Sequence, residues 1–139
     1  MVTLSGDIGE IDWERLALVF KRAPLGDRDP VVLRKAFENS GVRCFAWDQK
    51  ELVGAGRAIT DKVRYAVIFD VVVLPEYQGR GIGKQIMAFL GERSKAANIL
   101  LHAVPGKEAF YQKLGYRKMK TAMARFENPE VQRERGYIE

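Results

Sequence analysis

Cysteine and histidine are almost missing from this 139-residue chain, where Cys44 and His102 each stand alone. One cysteine cannot form an internal disulfide. One histidine with one cysteine cannot build a His/Cys metal centre, so no metal is expected. That usage fits a reducing, cytoplasmic setting. Long apolar runs are also missing: nothing approaches the roughly 18 consecutive residues of a membrane span, so no membrane partner is expected. The opening stretch MVTLSGDIGEIDW lacks the basic and apolar regions of a secretory signal. Repeats and low-complexity segments are absent. There is no basic block either. The net charge is +5, but lysines and arginines are scattered among acids. Without a basic block interleaved with aromatics, nucleic acid is not an expected partner. A polyanionic ligand would account for part of the excess. The length fits one domain with a real core.

What the chain does have is concentrated in Ala66–Leu90, AVIFDVVVLPEYQGRGIGKQIMAFL. Ala66–Leu74 is an apolar, β-branched run interrupted only by Asp70, the pattern of a strand covered on both faces. Pro75 ends it, having no N–H for a ladder. Gln78-Gly79-Arg80-Gly81-Ile82-Gly83-Lys84 is a glycine-rich turn. From about Gly81 an amphipathic helix follows, with Ile82, Ile86, Phe89 and Leu90 on one stripe. Strand, glycine turn and helix together make an anion site. The first helical N–H groups have no internal partner, the helix dipole is positive there, and glycines let a ligand approach the backbone. Arg80 and Lys84 add charge at the rim. The expected guest is a phosphate or pyrophosphate. A Walker loop is excluded, because Gly83-Lys84 is followed by Gln85 and Gln78 stands where its first glycine would be. A G-x-G-x-x-G fingerprint fails from Gly79 and from Gly81 alike, since Lys84 and Ile86 occupy the last position.

The remaining elements follow from periodicity and caps. Val2–Leu4 is a candidate edge strand. Asp12 caps a helix over Trp13–Arg22 whose buried stripe is Trp13, Leu16, Ala17 and Phe20. Ala23–Arg28 is a loop. Asp29 caps a second helix opened by Pro30, with Leu33, Ala36 and Phe37 inward and Gly41 as its C′ residue. Val42–Trp47 and Leu52–Thr60 are strands joined at Asp48-Gln49-Lys50. Gly54 and Gly56 in the second mark close packing or a bulge. Ile99–Val104 is a strand parallel to Ala66–Leu74, completing a βαβ unit. Lys107–Leu114 is a short helix ended by Gly115. Tyr116–Met119 and Ala122–Phe126 are the last two strands. Asn128–Glu139 is a charged tail, either frayed or a helix docked on a partner.

The segment Val73-Leu74-Pro75-Glu76-Tyr77-Gln78-Gly79-Arg80-Gly81-Ile82-Gly83 resembles the acetyl-CoA-binding motif of the GNAT N-acetyltransferases, whose core is Q/R-x-x-G-x-G/A. Ala109-Phe110-Tyr111-Gln112-Lys113-Leu114-Gly115-Tyr116 is similar to that family's second signature. The resemblance covers residues 1–126 and leaves 127–139 as the tail. It implies an α/β fold with a mixed, mostly antiparallel sheet of about six to seven strands and helices on both faces. In that fold the central parallel pair splays apart to admit the cofactor. The resemblance further implies acetyl-CoA as co-substrate and acetyl transfer to a primary amine of a small molecule or peptide, by direct attack in a ternary complex. The pantetheine arm would bond the backbone of Val71, Val72 and Val73. The pyrophosphate would sit on Gln78, Gly79, Arg80, Gly81, Ile82, Gly83 and Lys84, with Phe110 and Tyr111 beside the cofactor.

The chemistry needs an acid and a base. Tyr111 can protonate the departing thiolate, since a phenol titrates near 10; it could equally pack on its helix with the hydroxyl in water. Asp70, a lone charge in an apolar run, can take the amine proton if burial raises its pKa; it could equally be salt-bridged to an arginine such as Arg57. Asp70-Val71-Val72-Val73-Leu74-Pro75-Glu76-Tyr77-Gln78-Gly79 is similar to arylalkylamine-acetylating members of the family, which adds Tyr77 as a helper. Two departures from the family pattern stand out. Val67 occupies the position of the glutamate found in histone-acetylating members. Val104-Pro105-Gly106 replaces a cofactor-contacting asparagine, leaving that end to Lys107 or to backbone. His102 and Cys44 read as packed core residues. Lys21, Arg22 and the Pro24–Arg28 loop are candidates to line the acceptor pocket, which would suit an acidic substrate. The alternative function is a non-catalytic acetyl-CoA sensor. The terminal strands and tail leave room for a homodimer.

Overall fold

The computed structural model describes residues 1–139. The chain divides into two compact units, Met1–Leu101 and His102–Glu139. No helix is long and apolar enough to cross a membrane.

The first unit is a five-stranded sheet in sequence order: β1 (Val2–Ser5), β2 (Val42–Asp48), β3 (Glu51–Thr60), β4 (Tyr65–Val73) and β5 (Asn98–Leu101). Neighbours from β1 to β4 are antiparallel, and β4 with β5 is parallel. A parallel pair needs a crossover. That crossover is α3 (Ile82–Ser94), reached through a 3₁₀ turn at Pro75–Tyr77. The helices α1 (Trp13–Arg22) and α2 (Pro30–Glu38) lie between β1 and β2 in sequence. The side chains of Asp12 and Asp29 cap them, accepting from Arg15 and Val31 N–H.

Alternation along β3 sends the helices to opposite faces of the sheet. A Cβ on Gly56 would stand 2.9 Å from Ile86 and from Leu90 of α3, and one on Gly54 would stand 2.8 Å from the Val72 carbonyl oxygen. Gly56 therefore lets α3 settle directly on β3, and Gly54 lets β4 run close alongside it. The other face carries Phe45, whose ring packs with Trp13 of α1 and Phe37 of α2 at centroid distances of 6.2 and 5.5 Å. Leu16, Phe20, Phe37 and Phe45 close that core, and Ile86 and Leu90 are fully buried on the α3 side. At its C-terminal end α3 is held by Thr60, whose hydroxyl donates to the Ser94 carbonyl at 2.8 Å.

The second unit holds α4 (Glu108–Lys113) and α5 (Pro129–Glu134), the latter capped by Asn128. His102 meets the rings of Phe126 and Tyr137 edge-on.

Several expectations are corrected here. Five strands are present, not six or seven, because 116–119 and 122–126 are irregular. Their alternating pattern marks a strand only where one face is buried, and Met119 and Met123 are 56% and 96% exposed. β5 stops at Leu101, so His102 lies past the strand and is exposed rather than core. Gly41 is not the C′ residue of α2: Asn39 is the C-cap and Gly41 lacks a positive φ. Gly56→Ala is expected to lower stability by about 1–3 kcal/mol by overpacking. Urea denaturation checks this, the midpoint falling with an unchanged slope; an unchanged midpoint contradicts the close α3–β3 packing.

Candidate functional site

The β4–β5 ladder runs from Tyr65↔Asn98 to Ile68↔Leu101 and stops. β4 continues to Val73, so from Phe69 onward it has no strand on that side. Against β3, Val72 pairs with Ala55 and Phe69 with Arg57, leaving Asp70 and Val71 opposite Gly56 alone. Two residues against one make a β-bulge, which bends a strand and re-aims side chains. Asp70 takes φ +59 there, unusual for a residue other than glycine. Leu74 N–H bonds Val53 of β3, so by alternation Val73 turns to the open side. The Val73 carbonyl accepts from the Gln78 side chain at 2.9 Å. Of the three valines, Val72 faces β3, Val73 faces the open edge and Val71 lies in the bulge.

The open edge leads through Pro75–Tyr77 to the head of α3. Gly79 and Gly81 have φ +78 and +81, and a Cβ on either would meet nothing within 4 Å. Glycine is required by the backbone angle, and the space above it is open. Gly81 is the N-cap and no side chain caps the helix, in contrast to α1 and α2. The first N–H groups of α3 thus point out unshared, with the positive end of the dipole behind them. Lys84 is exposed beside them. The Arg80 guanidinium lies 5.0 Å over the Tyr77 ring. The Tyr77 hydroxyl donates to Asp48 at 2.5 Å, and that bond is the main cause holding the phenol above its ordinary value.

On the face away from α3, Asp70 is held by two arginines. Arg28 Nη1 donates to Oδ1 at 3.0 Å and Arg57 Nε to Oδ2 at 2.8 Å. The Arg57 pairing is one of the two readings the sequence left open. The second partner, Arg28, was not foreseen. It comes from the α1–α2 loop, 42 residues upstream. The only available signal was that a carboxylate inside an apolar strand needs counter-charges. Asp48, which holds Tyr77, read only as a turn residue. Arg22, an acceptor-pocket candidate, pairs instead with Glu76.

Tyr111 and Phe110 belong to the second unit, on α4, with ring centroids 4.9 Å apart. Tyr116 stands 6.2 Å from Tyr111. Burial is the main cause pushing the Tyr111 phenol above 10. Cys44 is fully buried and desolvation pushes its thiol up to about 12, so it is no nucleophile.

Residues 40–118, more than half of the chain, match the family described as Acetyltransferase (GNAT) domain. The chain belongs to the GNAT family. Solved structures share its fold. One is a probable acetyltransferase of unknown function from meticillin-resistant Staphylococcus aureus (TM-score 0.79, 22% identity, 92% of this chain and 99% of that one). Another is a GNAT family acetyltransferase from Streptococcus pneumoniae (TM-score 0.76, 24% identity, 92% and 98%). Among curated relatives, an uncharacterized ycf52-like N-acetyltransferase of Prochlorococcus marinus is 37% identical over 91 residues, which is 60% of this chain and 51% of the relative. A chloroplastic serotonin N-acetyltransferase 2 of Oryza sativa subsp. japonica is 36% identical over 113 residues, 76% and 56% respectively. The chain thus spans about half the length of these curated relatives.

Because Asp70 is 14% exposed and is the acid paired with both Arg28 and Arg57, truncating it strands two part-buried guanidiniums. Asp70→Ala is expected to cost about 2 kcal/mol or more in denaturant unfolding. A cost near zero contradicts the pairing.

Proposed function

We propose that this chain transfers the acetyl group of acetyl-CoA to a primary amine of a small molecule or peptide, in a ternary complex, with residues 1–126 as the catalytic domain. The observation that carries this reading is the open edge of β4 leading into the uncapped, glycine-led N-terminus of α3. The residues present fit coenzyme A. The N–H groups and left-handed glycines from Gly79 to Lys84 suit a diphosphate, with Arg80 and Lys84 adding charge. The backbone of Val71 and Val73 suits an amide-bearing arm laid along a strand edge. When bound, acetyl-CoA supplies an activated acetyl thioester.

The chain's own residues then manage orientation and protons. Backbone donors at the bulge polarise the acyl oxygen, an effect worth several kcal/mol when donors are preorganised. Tyr77, held by Asp48, supports Arg80 at the phosphate end. Tyr111 holds a proton for the leaving sulfur, and its raised pKa keeps that proton in place through the neutral range. Asp70 accepts the amine proton. The serotonin N-acetyltransferase relative supports including arylalkylamines among the acceptors tried.

Thermal shift with acetyl-CoA, ATP and NAD side by side, followed by thiol release with a panel of amines, tests the reading. Stabilisation by acetyl-CoA alone and amine-dependent thiol release are expected; stabilisation by only ATP or NAD contradicts it. Gly81→Glu is expected to abolish the acetyl-CoA shift, because it places a carboxylate at the anion site and strains a φ of +81. Tyr111→Phe is expected to lower turnover by roughly 10²-fold with KM for acetyl-CoA unchanged. With Tyr111 raised above 10, the high-pH limb of wild-type activity lies above pH 10 and is lost in that variant. Asp70→Asn is expected to lower kcat with KM for acetyl-CoA unchanged, whereas unchanged turnover confines Asp70 to holding the arginines.

A further inference from the structure

Arg28 and Arg57 share one counter-charge. Asp70 is the sole acid paired with either, so the three side chains carry one net positive charge. They are largely enclosed, at 31%, 16% and 14% exposure. A half-buried excess charge is costly unless something neutralises it. Both guanidiniums are also fixed in place. Arg28 lies 4.3 Å over the Phe20 ring, with weak bonds at 3.4 Å to the Leu25 carbonyl. Arg57 lies 5.1 Å over Phe69 and donates to the Ser40 hydroxyl at 3.3 Å. Each guanidinium has five N–H donors, and these bonds leave several unspent. Arg57 Nη2 makes no bond among these, and no buried side-chain nitrogen lacks a partner, so that nitrogen is open to solvent. Arg28, at 31% exposure, is the more accessible of the two.

The position of this cluster separates it from the phosphate site. α3 packs on the Gly54 and Gly56 face of β3, whereas Arg57 alternates to the other face, against Phe37 of α2. Arg28 sits on Phe20 of α1, on that same face. A diphosphate on the head of α3 leaves the arginine charge unanswered. Asp70 also adjoins Phe69, the first residue of β4 beyond the β5 ladder. The cluster therefore lies at the level along β4 where that edge opens.

We propose that Arg28 and Arg57 form a binding site for an anionic group, carboxylate or phosphate, carried by the amine acceptor itself. This rests on the acetyltransferase reading and narrows its substrate class to amines bearing a negative charge. Rigid, planar, aromatic-backed guanidiniums suit either oxyanion, because they can offer paired N–H donors without further ordering.

The test uses matched acceptors in thiol-release assays: propylamine against β-alanine, and ethanolamine against O-phosphoethanolamine. At least one charged member is expected to exceed its neutral partner in kcat/KM by about tenfold or more. Arg28→Gln is expected to bring that ratio close to one, and Arg28→Lys, which keeps charge but loses the fork, to restore part of it. Equal rates within both pairs, or a preference that Arg28→Gln leaves intact, overturns the proposal. A second arm does not depend on turnover. Calorimetry with CoA-saturated protein compares N-acetyl-β-alanine and N-acetyl-O-phosphoethanolamine with the neutral N-propylacetamide. Tighter binding of a charged product, lost in Arg28→Gln, sustains the anion site even if no amine is acetylated, in which case only the transferase reading falls. No preference among the three products overturns the anion site even if acetylation is observed.

Discussion

The site depends on one interrupted ladder. β4 is paired on both sides as far as Ile68, then loses β5 while still bonded to β3. An unpaired edge inside a sheet normally invites unwanted strand addition. Here it is short, bent by the bulge at Asp70 and Val71, and runs straight into the head of a helix. The interruption leaves main-chain groups for a ligand where a continued ladder would have consumed them. Gly56 of β3 serves the same end, because only a surface without a Cβ atom there lets α3 sit low enough to cover the α3 side of that sheet.

Charge is distributed over both sheet faces to match. On one side stand the positive end of the α3 dipole, Arg80 and Lys84, where we propose the diphosphate sits. On the other, Arg28 and Arg57 converge on Asp70. The left-handed backbone at Asp70 aims a carboxylate from the middle of an apolar strand at two guanidiniums, and strain of this kind persists where surrounding contacts over-determine it. Asp48 and Tyr77 show the same economy: one hydrogen bond fixes a ring, and the ring carries the Arg80 guanidinium.

The sequence made local features legible. The caps Asp12 and Asp29, the proline stop at Pro75, the start of α3 at the glycine turn and the tight packing at Gly54 and Gly56 each follow from a few adjacent residues. Features that need partners were not legible. The alternating segments 116–119 and 122–126 read as strands, but alternation cannot supply a neighbour to bond or a core to face. His102 looked buried because its neighbours are apolar, yet the ladder that would have buried it ends one residue earlier. For Asp70, a partner on the adjacent strand could be named, since Arg57 lies across a short hairpin. Arg28 could not, because a loop 42 residues away reaches Asp70 only after α1 docks.

The central claim is that coenzyme A lies along the open edge of β4 with its diphosphate on the head of α3. Amide-resolved NMR of the uniformly labelled protein, titrated with acetyl-CoA, tests it most directly. The account predicts that the largest shifts fall on the amides of Gly79 to Lys84 and of Val71 and Val73, with β1 and β2 little changed. Shifts concentrated elsewhere, or none at saturating acetyl-CoA, would contradict it.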